Sequence, residues 1–306
     1  MARILVTGGA GFIASHVVDA YVEKGHTVAV FDNLSTGVRS NVPEGVEFFE
    51  GDITDRNRVR EVLQQFSPEV INHHAAHIQV GRSVENPHFD ANANIFGVLN
   101  IMEEARQLGT VKKVVMASTG GAMYGDKPVP FNEDMSPQPL SPYGISKRSG
   151  ELYLYFYYAQ YGIPFVVLRY ANVYGPRQNP HGESGVVSIF MERILQNKPM
   201  AINGDGLNSR DYVFVKDVAR ANVLALDYTG VGEFNIGTNT EITTNEVFHK
   251  IVAAMGVDIP ETHGPARPGE QKRSVLDYSK AKRELGWEPT VFFDEGIRLT
   301  AESFRA

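Results

Sequence analysis

Thr7-Gly8-Gly9-Ala10-Gly11-Phe12-Ile13-Ala14 lies between a short apolar run, Arg3–Val6, and a helix-compatible stretch, Gly11–Lys24. Gly8, Gly11 and Ala14 recur every three residues. Small residues at that spacing let a strand-to-helix turn tighten, let backbone approach a pyrophosphate, and let the helix pack close to a sheet. The helix N-terminus then offers free N–H groups and a positive dipole end to an anion. A Gly-rich turn alone could equally be a plain βα connection, but a strand before it and a helix after it favour a dinucleotide. Asp32 follows the second apolar run at about the distance expected of an acid on the adenosine ribose diol. Asn33 comes next, and the nearest basic residue beyond it is Arg39. An acid without an adjoining Arg favours NAD over NADP, whose 2′-phosphate it would repel.

Outward from this turn, short apolar runs alternate with longer helical stretches. Thr27–Phe31, Val46–Phe49, Val70–Asn72, Val114–Ser118 and Phe165–Tyr170 read as strands. Asn57–Phe66, Asn92–Leu108 and Pro142–Tyr161 read as helices. Such a rhythm is the signature of a parallel sheet with crossovers. The runs are apolar at both alternating positions, as strands buried on two faces are. The expected fold is therefore α/β: a doubly wound parallel Rossmann-type sheet over residues 1–170, with a smaller C-terminal α/β substrate domain over 171–306. Part of 211–230, with a strand Tyr212–Val215 and a helix Asp217–Leu226, is expected to return to the first domain. Gly51-Asp52-Ile53 ends the third run; Asp52 could accept from an adenine amino group or cap the helix that follows.

Composition narrows the function. The 306 residues are 42% hydrophobic and 21% charged, ordinary for a globular chain. No apolar run reaches the roughly 18 residues that a membrane span needs. The first residues run straight into the Gly turn and do not read as a signal or transit peptide; a cytoplasmic location is the expectation. There is no Cys, which removes disulfides, Cys-ligated zinc, iron–sulfur clusters and thiol nucleophiles. A net charge of −7, from 29 Lys+Arg against 36 Asp+Glu, argues against a nucleic-acid surface but leaves room for a local phosphate pocket.

Ser141-Pro142-Tyr143-Gly144-Ile145-Ser146-Lys147 opens a helix, with Ser141 as N-cap and Pro142 in the first turn. Tyr143 and Lys147 are four residues apart and share one face. A nearby ammonium favours the phenolate and turns Tyr143 into a usable proton acceptor. Tyr-x-x-x-Lys is common by chance. After a nucleotide turn, and after Ser118-Thr119 at the end of the fifth strand, it becomes specific. The aromatic stretch Tyr153–Tyr158 cannot bury every face in a monomer and points to a helix–helix contact.

In order along the chain, Thr7 through Ser15, Asp32-Asn33, Gly51-Asp52, Ala75-Ala76, Ser83, Pro87, Asn94, Ser118-Thr119, Tyr124-Gly125, Tyr143 with Lys147 and Leu168–Asn172 form one pattern. Gly204-Asp205-Gly206, Arg210-Asp211-Tyr212, Asn235-Ile236-Gly237 and Arg267–Glu270 continue it. The whole chain thereby resembles the extended short-chain dehydrogenase/reductase family, and within it the enzymes that invert C4 of UDP-hexoses. The resemblance implies interconversion of UDP-galactose and UDP-glucose through a 4-keto sugar, with transient hydride transfer to tightly held NAD. It implies Tyr143 as base on O4, Lys147 on the nicotinamide ribose, and Thr119 completing the hydrogen bonds to O4. The cofactor would meet Gly8, Gly11, Phe12, Ile13, Asp32, Asn33, Asp52, Ile53, Ala75, Tyr143 and Lys147. The sugar nucleotide would meet Ser83, Asn94, Thr119, Asn172, Arg210, Arg267 and Glu270, the two Arg supplying planar donor forks for a diphosphate. Asn94 could instead anchor the helix behind the catalytic groups. A homodimer through the Asn92–Leu108 and Pro142–Tyr161 helices is implied as well.

Departures from the pattern shape the expectations. Resembling 4,6-dehydratases carry Asp-Glu directly after the catalytic Thr, and UDP-glucuronate decarboxylases an acid; Gly120-Gly121 stands here. Ser274 falls where some relatives carry a bulky Tyr, so N-acetylated hexosamines become candidate substrates. UDP-GlcNAc or UDP-glucuronate epimerisation, an oxidoreductase with exchangeable NAD(H), and a non-catalytic NAD-binding scaffold are the competing readings. An intact Thr119, Tyr143 and Lys147 speak against the scaffold. His73, His74 and His77 read as structural rather than metal-binding, since neighbours on a strand point to opposite faces. Trp287 reads as a packing residue.

Overall fold

The computed structural model describes residues 1–179, 185–266 and 271–305. Its first half runs β1 (Arg3–Thr7), α1 (Phe12–Glu23), β2 (Thr27–Asp32), β3 (Glu47–Glu50), α2 (Arg56–Phe66) and β4 (Val70–His73). Helices α3 (Val80–Glu85) and α4 (Pro87–Ala91), a π-helical turn Asn92–Phe96 and α5 (Gly97–Leu108) then lead to β5 (Lys113–Thr119). Helix α6 (Pro142–Tyr161) connects β5 to β6 (Phe165–Tyr170). Beyond it come β7 (Asn172–Tyr174), α7 (Val186–Leu195), β8 (Ile202–Asn203), β9 (Ser209–Arg210), β10 (Tyr212–Phe214), α8 (Val215–Asp227), β11 (Gly232–Ile236), β12 (Ile242–Thr243) and α9 (Thr244–Met255).

Seven of these strands form one parallel sheet in the order β11-β6-β5-β4-β1-β2-β3. The chain fills one half from β1 outward and then crosses to β4, so the strand order reverses between β1 and β4. In open sheets of this kind ligands sit at the carboxyl ends of the strands beside that reversal.

Both faces of the sheet are apolar. Leu5, Phe31, Ile71, Val114 and Met116 pack under α2, α5 and α6, against Val62, Ile101 and Leu154. Ile4, Val6, Val28 and Val30 pack on the other side against Val17, Val18 and Tyr21 of α1 and Ala219 of α8. Trp287 is buried with Val218, Ala221, Leu168 and Phe234, so this packing residue serves the large sheet. Its indole N–H donates to the Asp217 carbonyl at 2.9 Å. Helix α8 packs on α1 and β11 pairs with β6. The return into the sheet thus reaches Ile236, past the 211–230 stretch in which it was expected.

A second apolar cluster, including Tyr174, Phe190, Met191, Phe214, Phe248 and Phe293, fills the smaller lobe. There β9 pairs with β12 antiparallel and with Arg273–Ser274 parallel. The lobes are laced by backbone: Phe131 N–H donates to Val275 O and Asp277 N–H to Phe131 O, both at 2.8 Å. Among the described residues no helix is long and apolar enough to cross a membrane.

Candidate active site

The β1–α1 turn follows from three missing side chains. Gly8 adopts φ +70°, and a Cβ there would lie 2.7 Å from Ala75 N. A Cβ on Gly9 would strike Val30, and one on Gly11 would crowd the Gly8 carbonyl at 3.1 Å. Gly11 is the N-cap of α1 and lends no side chain to it, so the first-turn N–H groups face the cleft uncapped. Such a cradle fits a dinucleotide pyrophosphate.

Gly8, Gly11, Phe12, Ile13, Asp32, Asn33, Asp52, Ile53, Ala75, Tyr143 and Lys147 all line this one cleft at the strand ends. Asp32 is buried and accepts from Ala10 N–H at 3.0 Å and Leu34 N–H at 2.8 Å. Burial nevertheless raises its carboxyl above the usual range. Arg39 turns its guanidinium onto the Phe48 ring, 4.5 Å from the centroid. Asp52 accepts from Asn33 Nδ2 at 2.7 Å and from Thr54 N–H and Oγ1. Burial would raise its carboxyl, but those hydrogen bonds prevail and lower it. The cap of α2 is Asp55, which removes that alternative for Asp52.

Helix α6 carries Tyr143 and Lys147. Ser141 Oγ caps it, accepting from Gly144 N–H at 3.2 Å, and Pro142 starts the first turn. Lys147 is buried and its Nζ donates to Ala117 O at 3.1 Å. Burial lowers the ammonium pKa to about 8, against the upward pull of Asp90 and Glu151. Thr119 ends β5, and its Oγ1 accepts from Ala122 N–H at 3.2 Å, leaving its proton for another partner.

The sugar-side expectations fare differently. Ser83 is fully buried; its hydroxyl donates to Val80 O at 2.7 Å and accepts from the Tyr143 N–H at 3.2 Å. Its hydroxyl is therefore engaged behind Tyr143, away from the residues that line the cleft. Asn94 is also buried. It accepts from His77 N–H and donates to His77 O, Asp90 Oδ1 and Ser146 Oγ. Both ends of its amide are engaged, and it ties the π-helical turn to α6. Asn172, exposed at the start of β7, and Ser274 both stand 3.7 Å from where a Cβ on Gly121 would be. Arg210 lies on β9 and donates to Ser209 O and Lys272 O. Arg267 and Glu270 lie outside the described residues.

His73 and His74 are held by hydroxyl groups inside the protein. His73 Nδ1 meets Thr7 Oγ1 at 2.8 Å, and His74 Nε2 meets Tyr170 OH at 3.1 Å. Burial, then the Lys147 charge, lowers each pKa to about 3. Among the described residues no cluster of His, Asp and Glu could hold a metal.

Sequence reasoning overlooked the groups behind the cleft. Glu151 is buried, accepts a bidentate pair from Arg169 at 3.0 and 2.8 Å, and accepts from Ser118 Oγ at 2.7 Å. Arg169 also donates to Tyr124 OH, which donates to Asn235 Oδ1. Glu151 stands four residues after Lys147, so the Tyr–Lys face continuing into a carboxylate was the available signal. Asp211 is buried under N–H groups of Thr238, Asn239 and Leu276, which join the sheet edge to the smaller lobe.

Fold and cleft together are those of the extended short-chain dehydrogenase/reductases. More narrowly, the chain belongs to the NAD dependent epimerase/dehydratase family, whose model matches residues 4–237. It is 46% identical to the UDP-glucose 4-epimerase of Mycolicibacterium smegmatis over 99% of this chain and 98% of the relative. The UDP-glucose 4-epimerase of Thermotoga maritima, solved with UDP-glucose, superposes with a TM-score of 0.96 at 48% identity, covering 99% and 98% of the two chains. The Thermus thermophilus UDP-glucose 4-epimerase, solved with NAD, gives 0.94 at 48% identity, covering 99% of each chain.

Replacing Glu151 by Gln should cost about 3–5 kcal/mol, because it strips the counter-charge from buried Arg169. The check is the denaturation midpoint at unchanged m value. Asp211 is raised by burial from 3.8 to about 6 despite its hydrogen bonds. Its folded-state proton affinity adds stability that is complete below 3.8 and lost as pH rises through about 6. Asp211→Asn should therefore flatten the fall in melting temperature across that window; an unchanged slope would contradict the assignment.

Proposed function

We propose that this chain is a UDP-glucose 4-epimerase that interconverts UDP-galactose and UDP-glucose and retains NAD throughout. The observation that carries it is the joining of the Gly8–Gly11 cradle, Asp32, Tyr143 and Lys147 in one cleft. The full-length likeness to enzymes of that name supports it. NAD, when bound, supplies a reversible acceptor for the C4 hydride.

The protein's part is binding, orientation and proton handling. The α1 N-terminus would hold the pyrophosphate and Asp32 the adenosine ribose diol. Arg39 rests on the Phe48 ring and is not among the residues that line the cleft beside Asp32. Tyr143 would take the O4 proton, with the Lys147 ammonium stabilising the resulting negative charge and holding the nicotinamide ribose. Thr119, whose hydroxyl proton is available, would steady O4. Residues 1–170 with the returning 215–236 stretch would form the NAD domain, and the rest would hold the sugar nucleotide through Asn172, Arg210, Arg267 and Glu270. Dehydration at C5 and C6 is disfavoured. Gly120 leaves no room for an acid, since its Cβ would sit 2.4 Å from the buried Leu276 side chain.

The assembly we read is a homodimer in a cytoplasmic setting. Helix α6 exposes Ile145, Leu152 and Phe156, whose spacing of seven and four puts them on one face, and Phe96 is exposed on the π-helical turn that packs against α6. One patch of that size on paired helices suits an isologous seam. Small Ser274 beside Gly121 and Asn172 favours a second substrate, UDP-GlcNAc.

Purified protein assayed across a UDP-sugar panel, with products identified, tests the reading. UDP-galactose conversion, with absorbance of reduced nicotinamide rising when UDP-glucose is added, is expected; protein with neither nucleotide nor conversion would be a scaffold. No detectable UDP-GlcNAc turnover would remove the second substrate. Tyr143→Phe should lower kcat by about 10²–10⁴-fold, the usual worth of a positioned acid–base group, while sugar-nucleotide affinity stays near wild type. Equal loss of both would contradict its role as base.

A further inference from the structure

A dinucleotide carries its negative charge on two phosphates and nowhere else. The β1–α1 turn meets that charge with backbone, since Gly11 lends α1 no capping side chain. Of the lysines and arginines among the described residues, two line the same cleft, Lys147 and Arg82. Lys147 is buried, with its ammonium on the Ala117 carbonyl. Arg82 stands on α3.

Two contacts set the place of that helix. The chain leaving β4 passes against the Gly turn: a Cβ on Gly8 would lie 2.7 Å from Ala75 N, and the Ala75 N–H donates to Thr7 Oγ1 at 3.2 Å. Further on, Ser83 ties α3 to α6, its hydroxyl accepting from the Tyr143 N–H at 3.2 Å. Arg82 therefore stands on a segment pinned to the Gly8 turn at one end and to Tyr143 at the other. Its guanidinium lies over the Phe89 ring of α4, 4.5 Å from the centroid, and Phe89 meets His77 edge-on at 5.1 Å. Phe89, His77 and Asn92 line the cleft with it. Stacking on an aromatic face steadies a long side chain and leaves the planar donor fork open at its rim.

The Arg82 charge is uncompensated. Arg60, Arg169 and Arg273 each grip a glutamate. Among the described residues no carboxylate forms an ion pair with Arg82, although Glu85 stands one turn along on α3. Asp90 turns inward instead, to His77 Nδ1 at 3.3 Å and Asn94 Nδ2 at 3.1 Å.

We propose that Arg82 is a clamp on the cofactor pyrophosphate, adding a cation to the backbone cradle and slowing the loss of NAD. The clamp rests on the reading of this cleft as the NAD site. A sugar nucleotide carries a diphosphate too. The cleft that Arg82 lines is the one built on Gly8 and Gly11, which assigns the guanidinium to the dinucleotide. A guanidinium fork suits two phosphate oxygens at once.

The test is isotope exchange on the holoprotein. Protein as purified is mixed with excess deuterated NAD, and the bound nucleotide is followed by mass spectrometry. Arg82→Gln should exchange about 10–100-fold faster than wild type, the usual worth of a hydrogen bond to a charged group. Added salt should quicken exchange in wild type more than in Arg82→Gln. Arg39 is the control, since it stacks on Phe48 in the same way but outside the cleft. Arg39→Gln should exchange like wild type; if it exchanges as fast as Arg82→Gln, the effect is one of net charge and the clamp fails. UDP-glucose affinity of Arg82→Gln should stay near wild type. Weakened UDP-glucose binding with unchanged NAD exchange would hand Arg82 to the sugar nucleotide and overturn the proposal, as would no change in either. Wild-type protein that neither carries nor binds NAD would remove the NAD reading of the cleft itself, and the clamp with it.

Discussion

The ion pair between Glu151 and Arg169 fixes the helix on which Tyr143 and Lys147 stand. It is dry and bidentate, and it spans helix α6 and strand β6, with Ser118 of β5 as third member. Tyr143 and Lys147 ride on that helix, and Thr119 follows Ser118 directly. A helix laid on a sheet by apolar contacts alone can slide, because hydrophobic attraction is non-directional. A forked guanidinium cannot follow such a slide without losing one of its two bonds. The pair therefore converts loose packing into a fixed register between helix α6 and the strand end where Thr119 stands.

The overall negative charge has a matching interior logic. Buried cations here each have a stated neighbour: Arg169 has Glu151, and Lys147 donates to the Ala117 carbonyl. Buried carboxyls away from a cation lean on backbone instead. Asp32 collects N–H groups from Ala10 and Leu34, and Asp211 from Thr238, Asn239 and Leu276. Hydrogen bonds of this kind support an anion without cancelling it. An ionised Asp32 would repel a 2′-phosphate, and the N-terminal end of α1, which lines the same cleft, would favour a pyrophosphate.

Much of this was legible in the chain. The sheet strands announced themselves because burial on both faces leaves unbroken apolar runs, and the Gly turn because only small residues tolerate its close approaches. Gly8, Asp32, Tyr143 and Lys147 were readable because their spacing along one strand or helix fixes their direction. What escaped depends on contacts between distant segments. Ser83 and Asn94 looked like ligands from their place in a motif, yet their side chains turn inward to Val80 and His77. Glu151 and Asp90 carry ordinary acidic side chains, and only the packing of α6 and α4 reveals that both are buried. Strand β11 is five residues long and separated from its neighbour β6 by the whole of the smaller lobe's first half. No local pattern tells such a strand which sheet it joins.

The lacing between the lobes limits how the molecule can move. Phe131 exchanges backbone hydrogen bonds with Val275 and Asp277, and Asp211 ties Thr238 to Leu276. Leu276 itself presses on Gly120, next to Thr119. Swinging the smaller lobe away as a body would break these main-chain bonds and uncover a buried carboxyl together with the apolar plug over β5. The cost of breaking that seam favours one arrangement of the lobes around the cleft, and a sugar turned over between hydride transfers would have to turn within the chamber which that arrangement leaves.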